Sequence, residues 1–216
     1  MKIALFGATG GTGRAVIDLA LKAGHQVTAL ARHADKLAPK VGLTVLQGDA
    51  MVSKDVVRTL ADTDAVVVAL GNSQNAFALL FGARRTTPRD ICEAGTRNIL
   101  AALGDGAERS VVVVSAFGVG ATRNKLPFMF KLFYRLILRE QIADKERQEA
   151  LLRASNANYV VIQPVALTDK PASGKWTATP DGTLGGSEVS RHDLAAVILS
   201  ELTVKTNTRQ TISLSG

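Results

Sequence analysis

Residues 2–13 read Lys-Ile-Ala-Leu-Phe-Gly-Ala-Thr-Gly-Gly-Thr-Gly, and the reading of this stretch decides the fold. Ile3–Phe6 is an apolar strand. It runs straight into Gly7, Thr9, Gly10, Gly11, Thr12 and Gly13, and the helical pattern of Gly13–Ala23 follows. Glycines are needed there because the turn is tight, because a pyrophosphate must approach the backbone closely, and because the helix must pack on its strand. Amides at the helix N-terminus and the positive end of its dipole then hold phosphate. The spacing is Gly-x-x-Gly-x-x-Gly. No Gly-Lys-[Ser/Thr] follows, so a loop for nucleoside triphosphates is excluded.

Outward from the loop the same alternation repeats. Gln26–Ala31, Leu43–Gln47, Ala65–Leu70, Ser110–Ser115, Tyr159–Gln163 and Gln210–Leu214 read as strands. Helical patterns fit 53–61, 89–103, 127–139, 142–154 and 191–202. The runs Ala-Val-Val-Val-Ala-Leu at 65–70 and Val-Val-Val-Val at 111–114 are continuously apolar, as strands buried on both faces are. The expected fold is an α/β Rossmann-like, doubly wound, mostly parallel sheet. One dinucleotide-binding domain spans 1–216, with no internal repeat or linker, and ligands bind beyond the carboxyl ends of the strands.

Composition narrows the function. At 216 residues, with 46% hydrophobic and 21% charged side chains, the chain can build a sizeable core and is not a disordered class. Its lone Cys92 rules out an internal disulfide and a thiolate zinc site, and His25, His33 and His192 show no ligand spacing, so no metal is expected. No apolar run approaches a membrane span, and Met1-Lys2 leads directly into the first strand, so a cytoplasmic protein is expected. The net charge of +7 attracts anions of any kind. Between Arg84 and Arg139 ten basic residues face four acids, and seven of the ten aromatics also lie in the middle of the chain. That clustering points to anionic, planar ligands there; without a reading motif, nucleic acid is not expected.

The second strand ends Leu30-Ala31-Arg32-His33. A site for NAD usually places an acid here to hold the ribose 2′-hydroxyl, whereas a basic residue suits a 2′-phosphate, so Arg32 favours NADP. A solvated surface arginine is the alternative.

The motifs 2–10, Gln-Gly-Asp (47–49), Asp-Ala-Val-Val-Val-Ala-Leu-Gly (64–71), Gly-Thr-Arg-Asn-Ile (95–99), Ser-Ala-Phe (115–117) and Ser-Arg-His-Asp-Leu-Ala (190–195), taken in order, carry a resemblance over essentially the whole chain. It resembles the atypical short-chain dehydrogenase/reductases of the NAD(P)-binding, NmrA-like type, and within them the biliverdin reductase B/flavin reductase group. The resemblance implies that Gly7, Thr9, Gly10, Thr12 and Gly13 wrap the pyrophosphate and that Arg32 takes the 2′-phosphate. It puts Asp49 and Ala50 beside the adenine, and Leu70, Gly71 and Asn72 along the adenosine ribose and pyrophosphate. Ser115, Ala116 and Phe117 would flank the nicotinamide, with Pro164, Val165 and the stretch to Thr168 on its other side.

The chain also departs from that family. The Tyr-x-x-x-Lys pair of classical members is missing: Tyr134 is followed four later by Leu138, and Tyr159 by Gln163. Asp144-Lys145-x-x-x-Glu149 matches a lysine helix of atypical members, with Gln141 where the acid would stand. Lys145 is thus a candidate for the nicotinamide ribose, or a surface lysine paired with Glu149 at i+4. Ala166 occupies the place where the biliverdin reductase B-like proteins carry a histidine. A flavin or bilin accepts hydride at a conjugated, electron-poor atom and can take its proton from solvent, so the missing tyrosine favours such acceptors over simple carbonyls.

Residues 127–139 show three apolar stripes and one basic stripe, Lys131/Arg135/Arg139. A helix apolar over most of its circumference buries more than one face. It packs on the sheet, closes over a ligand, joins subunits, or rests on an anionic surface. With loop 72–88 (Phe77, Phe81, Arg84, Arg85), segment 118–141 is expected to form the substrate cleft. The expected function is an NADPH-dependent reductase of a planar, anionic acceptor, flavin first and bilin or quinone after it. Ser115 and Lys145 would be its catalytic residues, and Phe117, Phe128 and Ala166 would meet the acceptor. The rival is a non-catalytic NADP(H) sensor.

Overall fold

The computed structural model describes residues 1–72, 74, 82–104, 109–126, 128–204 and 208–216, leaving aside the side chains of Phe128 and Phe130. The chain opens with β1 (Lys2–Phe6), α1 (Gly11–Lys22), β2 (Gln26–Ala31), β3 (Leu43–Gln47), α2 (Ser53–Leu60) and β4 (Ala65–Val68). After these come α3 (Ile91–Leu103), β5 (Ser110–Val114), α4 (Phe128–Leu136), α5 (Arg139–Ala154) and β6 (Asn158–Pro164). Three short strands follow, β7 (Ala166–Thr168), β8 (Thr177–Thr179) and β9 (Glu188–Ser190), then α6 (Arg191–Val204) and β10 (Gln210–Ser215). The main sheet has the order β3-β2-β1-β4-β5-β6-β10-β8, while β7 and β9 form a parallel pair of their own. Every pairing in the main sheet is parallel except β10 with β8. This is the expected Rossmann-like architecture.

The strands that read as continuously apolar are the central ones. Ala65–Val68 and Ser110–Val114 are buried throughout, and alternate β1 residues serve opposite faces. Ile3 and Leu5 join the core made by α1 and α6, with Val16, Leu194 and Ile198. Ala4 and Phe6 join the core under α2, α3 and α5, with Val56, Ile99 and Leu152. Strand order reverses between β1 and β4, so the loops after their carboxyl ends splay apart and leave a crevice.

Two expectations change. The strands read as 65–70 and 110–115 end at Val68 and Val114, so Ala69–Asn72 and Ser115 are loop and face the crevice. In the helix at 128–136 the side chains of Met129, Leu132, Phe133 and Leu136 are exposed, so, of the four roles open to it, packing on the sheet does not account for these residues. The helix packs against α5, and its Tyr134 hydroxyl donates to the Phe117 carbonyl at 3.0 Å.

Candidate functional site

Gly7 has φ +90, and a Cβ there would collide with the Ala69 carbonyl; one on Gly13 would strike Gly7 and Ala8 backbone. The loop can therefore be built only with glycine at both places. Gly10 N donates to Gly7 O at 3.2 Å, closing the turn, and α1 begins at Gly11 with no side chain capping it. Its first amides stay available for an anion.

A cavity of about 300 Å³ runs along this loop. Gly7, Thr9, Gly10, Gly11, Thr12, Gly13, Arg32, Asp49, Ala50, Leu70, Gly71, Asn72, Ser115 and Lys145 all line it, so the structure brings together most of the residues singled out in the sequence. Ala116, Phe117, Pro164, Val165 and Ala166 do not line it; Leu167 from β7 does. The physical reason is backbone pairing. Phe117 N donates to Pro164 O at 2.9 Å and Val165 N to Leu214 O at 3.0 Å, which ties this part of the chain to β6 and β10 within the sheet. Phe77 and Phe81, and the Phe128 side chain, lie outside the described residues.

Arg32 reaches across the mouth of the cavity, its guanidinium donating to Thr86 O at 3.0 Å and Thr87 Oγ1 at 3.3 Å. Neither partner carries charge, so its own charge stays available to a bound anion. Asp49 accepts from Met51 N at 3.0 Å and donates its own amide to Asp55. The side chain thus shapes the turn before α2 as well as lining the cavity. Lys145 Nζ donates to Val114 O at 2.8 Å. It does not pair with Glu149, whose carboxylate lies on Ser115 Oγ at 2.5 Å, Gln163 Nε2 at 2.8 Å and Arg153 at 3.4 Å. Helical spacing placed Lys145 and Glu149 together, but the sheet offers each a better partner.

Two groups escaped sequence reasoning. Arg191 stands at the start of α6, with its Cδ and Nε 2.7 Å from where a Gly11 Cβ would be, and lines the same cavity. Asp169 holds it at 2.7 Å. The signal was the stretch Ser-Arg-His-Asp: Ser190 Oγ accepts from Asp193 N at 2.9 Å and caps the helix, which places Arg191 on the glycine loop. Glu149 is the second group. The buried face of α5 is polar, made of Asp144, Gln148 and Glu149 with Leu152, so a search for apolar periodicity passes over it.

A smaller cavity of about 100 Å³ shares Gly71, Asn72 and Lys145 with the first and is lined further by Arg85, Arg89, Cys92, Glu140, Gln141 and Asp144. Arg85 and Arg89 both lean on Glu140, at 2.5 and 3.3 Å. Its described lining is mostly polar and charged; the aromatics Phe77 and Phe81 of the expected substrate cleft lie outside the described residues.

The glycine cradle, the uncapped helix start and two arginines beside it suit a dinucleotide. A family model described as NAD(P)H-binding matches residues 7–205. The fold is similar to a solved structure titled as an anaerobilin reductase, ChuY from Escherichia coli O157:H7, at 24% identity over 100% of this chain and 97% of that one, TM-score 0.79. It is also similar to a short-chain dehydrogenase/reductase from Veillonella parvula in complex with NADP, at 17% identity over 100% and 94%, TM-score 0.78. Among curated proteins, the reductase pytE of Aspergillus terreus is 28% identical over 77% of this chain and 76% of its own.

Proposed function

We propose that this chain, which belongs to the NAD(P)H-binding family, is an NADPH-dependent reductase passing hydride to a planar, conjugated, anionic acceptor, with flavin favoured over bilin or quinone. The observation that carries the reading is a single cavity joining the glycine loop to Arg32 at one side and to Ser115 and Lys145 at the other. A bound reduced nicotinamide would supply two electrons and a hydrogen as hydride. The residues of the chain supply the rest. Loop amides and Arg191 hold the pyrophosphate, Arg32 the 2′-phosphate, and Lys145 the nicotinamide ribose, while Ser115 marks the reacting end. Orientation of this kind is worth several of the roughly 7–11 kcal/mol available to proximity effects, enough for an acceptor that needs no strong acid.

Support for an anionic acceptor comes from the adjoining cavity, where Arg85, Arg89 and Lys145 meet Glu140 and Asp144. Asp144 is committed elsewhere, accepting from the amides of Cys92 and Glu93 at the start of α3. Arg85 and Arg89 share the single carboxylate of Glu140, so the three cations of this lining outnumber its two carboxylates and leave one positive charge for a carboxylate or phosphate on the acceptor.

The test is anaerobic oxidation of NADPH with excess FMN, against NADH and an enzyme-free blank. Saturable, NADPH-preferring turnover is expected. Arg32→Glu should cost NADPH affinity about tenfold or more and leave NADH nearly untouched; equal losses would remove the 2′-phosphate role. Tight NADPH binding with no turnover on flavin, bilin or quinone would turn the reading to an NADP(H) sensor.

A further inference from the structure

Beneath the cavity lies a chain of hydrogen bonds whose direction can be followed from one fixed end. The Val119 carbonyl can only accept. Gln163 faces it at 2.9 Å and must present Nε2. The second proton of the same nitrogen goes to Glu149 Oε1 at 2.8 Å, and Gln163 Oε1 accepts from Thr122 Oγ1 at 2.7 Å. Reversing the amide would set its oxygen against both the Val119 carbonyl and the Glu149 carboxylate, two groups that only accept. The orientation is therefore settled by the backbone.

Glu149 Oε1 accepts the Gln163 N–H and, as a carboxylate oxygen, has no proton of its own to give, so in the 2.5 Å contact with Ser115 Oγ the serine is the donor. Every participant is enclosed: Glu149 is 1% exposed, Gln163 0% and Ser115 4%. Arg153 lies 3.4 Å from the other carboxylate oxygen. The position of the carboxylate is tightly set as well, since a Cβ on Gly120, at φ +53, would collide with Glu149 Oε2.

A hydroxyl has one proton to give, and Ser115 also lines the main cavity. We propose that Glu149 is a positioning residue that engages the Ser115 hydroxyl proton in a hydrogen bond, so that Ser115 meets a bound ligand only as a hydrogen-bond acceptor. The group it reads is then an N–H or O–H donor, such as a carboxamide, a ribose hydroxyl or a ring N–H. The polarity of Ser115 stands on the geometry alone; the identity of the ligand rests on the NADPH reductase reading. Hydride transfer leaves the acceptor one proton short, and that proton comes from water or the Lys145 ammonium rather than from Ser115.

Three variants test this: Glu149→Met, which keeps the bulk and removes the acceptor; Glu149→Gln, which keeps an acceptor oxygen; and Ser115→Ala. The first measurement needs no cofactor. In proton NMR of the ligand-free protein, a slowly exchanging hydroxyl proton is expected in the parent and in Glu149→Gln, and its loss is expected in Ser115→Ala and Glu149→Met. Its survival in Glu149→Met would overturn the proposal.

The second measurement is NADPH affinity and turnover across pH. Glu149→Met and Ser115→Ala should each lose about tenfold, the double variant little more than either, and Glu149→Gln should recover most of the Glu149→Met loss without a new pH dependence. A Glu149→Gln variant as damaged as Glu149→Met would instead make Glu149 a proton relay and overturn the acceptor role. Should Glu149→Met not fold, Glu149→Gln against Ser115→Ala carries the same decision. A parent protein that neither binds nor oxidises NADPH would defeat the reductase reading, while the hydroxyl signal would still decide the polarity of Ser115.

Discussion

Burial pushes the Cys92 thiol up to about 12; Asp144 adds to the shift and the Lys145 ammonium opposes it. Its Sγ lies 3.4 Å from the Leu70 carbonyl, at the back of the smaller cavity. At pH 8 the thiolate is then on the order of one part in ten thousand, too little for alkylation. Native protein should resist iodoacetamide at pH 8 and react promptly in urea, as followed by mass spectrometry; rapid labelling of the native state would contradict this burial. The sequence offered only the count, one cysteine. At the same scale the position of Arg32 on the cavity was legible, because it stands at the end of the second strand. Glu149 was not, because its partners Ser115 and Gln163 are 34 and 14 residues away.

At the scale of elements, the helices and the long strands were readable to within three residues, but the short strands β7, β8 and β9 were not, nor was what joins the elements. The start of α3 is capped by a residue of α5: Asp144 accepts from Cys92 N and Glu93 N, both at 2.9 Å. Gln148 Nε2 donates to Thr96 Oγ1 at 2.9 Å and continues the same polar seam. Asp193 does comparable work at the start of α6. It accepts from Ser173 N, Gly174 N and Ser190 Oγ at 2.9, 3.0 and 2.8 Å, tying the loop before β8 to the helix.

Burial pushes the Asp193 carboxyl up, but these bonds from Ser173, Ser190 and Gly174 outweigh it and hold the group below the usual range. A carboxyl lowered on folding contributes stability above its unfolded value of about 3.9, and the contribution is lost as pH falls through the folded value. Asp193→Asn should therefore lower stability at pH 7 by roughly 1–3 kcal/mol. The gap to the parent should narrow below about pH 4. Urea titrations of both proteins at pH 7 and pH 3 measure it; a gap that stays constant would remove the carboxylate from this account.

For the whole molecule, the order β3-β2-β1-β4-β5-β6-β10 places the reversal of strand order between β1 and β4 and puts the loops at 7–13, 69–72 and 115 at one edge of the sheet. A ligand that spans this crevice touches elements from both halves and favours the folded state as a unit. At 100 times its dissociation constant NADPH should add about 2.7 kcal/mol. For a chain of this size that is a rise in melting temperature of roughly 5–11 °C. Thermal unfolding with NADPH and with the same concentration of NADH checks it, and equal shifts would remove the preference for the phosphorylated cofactor.

The sequence by itself determined the parallel sheet, the glycine loop and the choice of a basic residue at position 32, because each is a local pattern: apolar runs of strand length, glycine where no Cβ fits, charge at a strand end. Tertiary structure alone decided that Lys145 turns to Val114 and not to Glu149, that Arg191 stands over Gly11, and that the Ser115 proton is already spent. Those outcomes depend on which distant backbone and side-chain groups meet once the sheet has assembled, and periodicity along a chain carries no record of its neighbours across it.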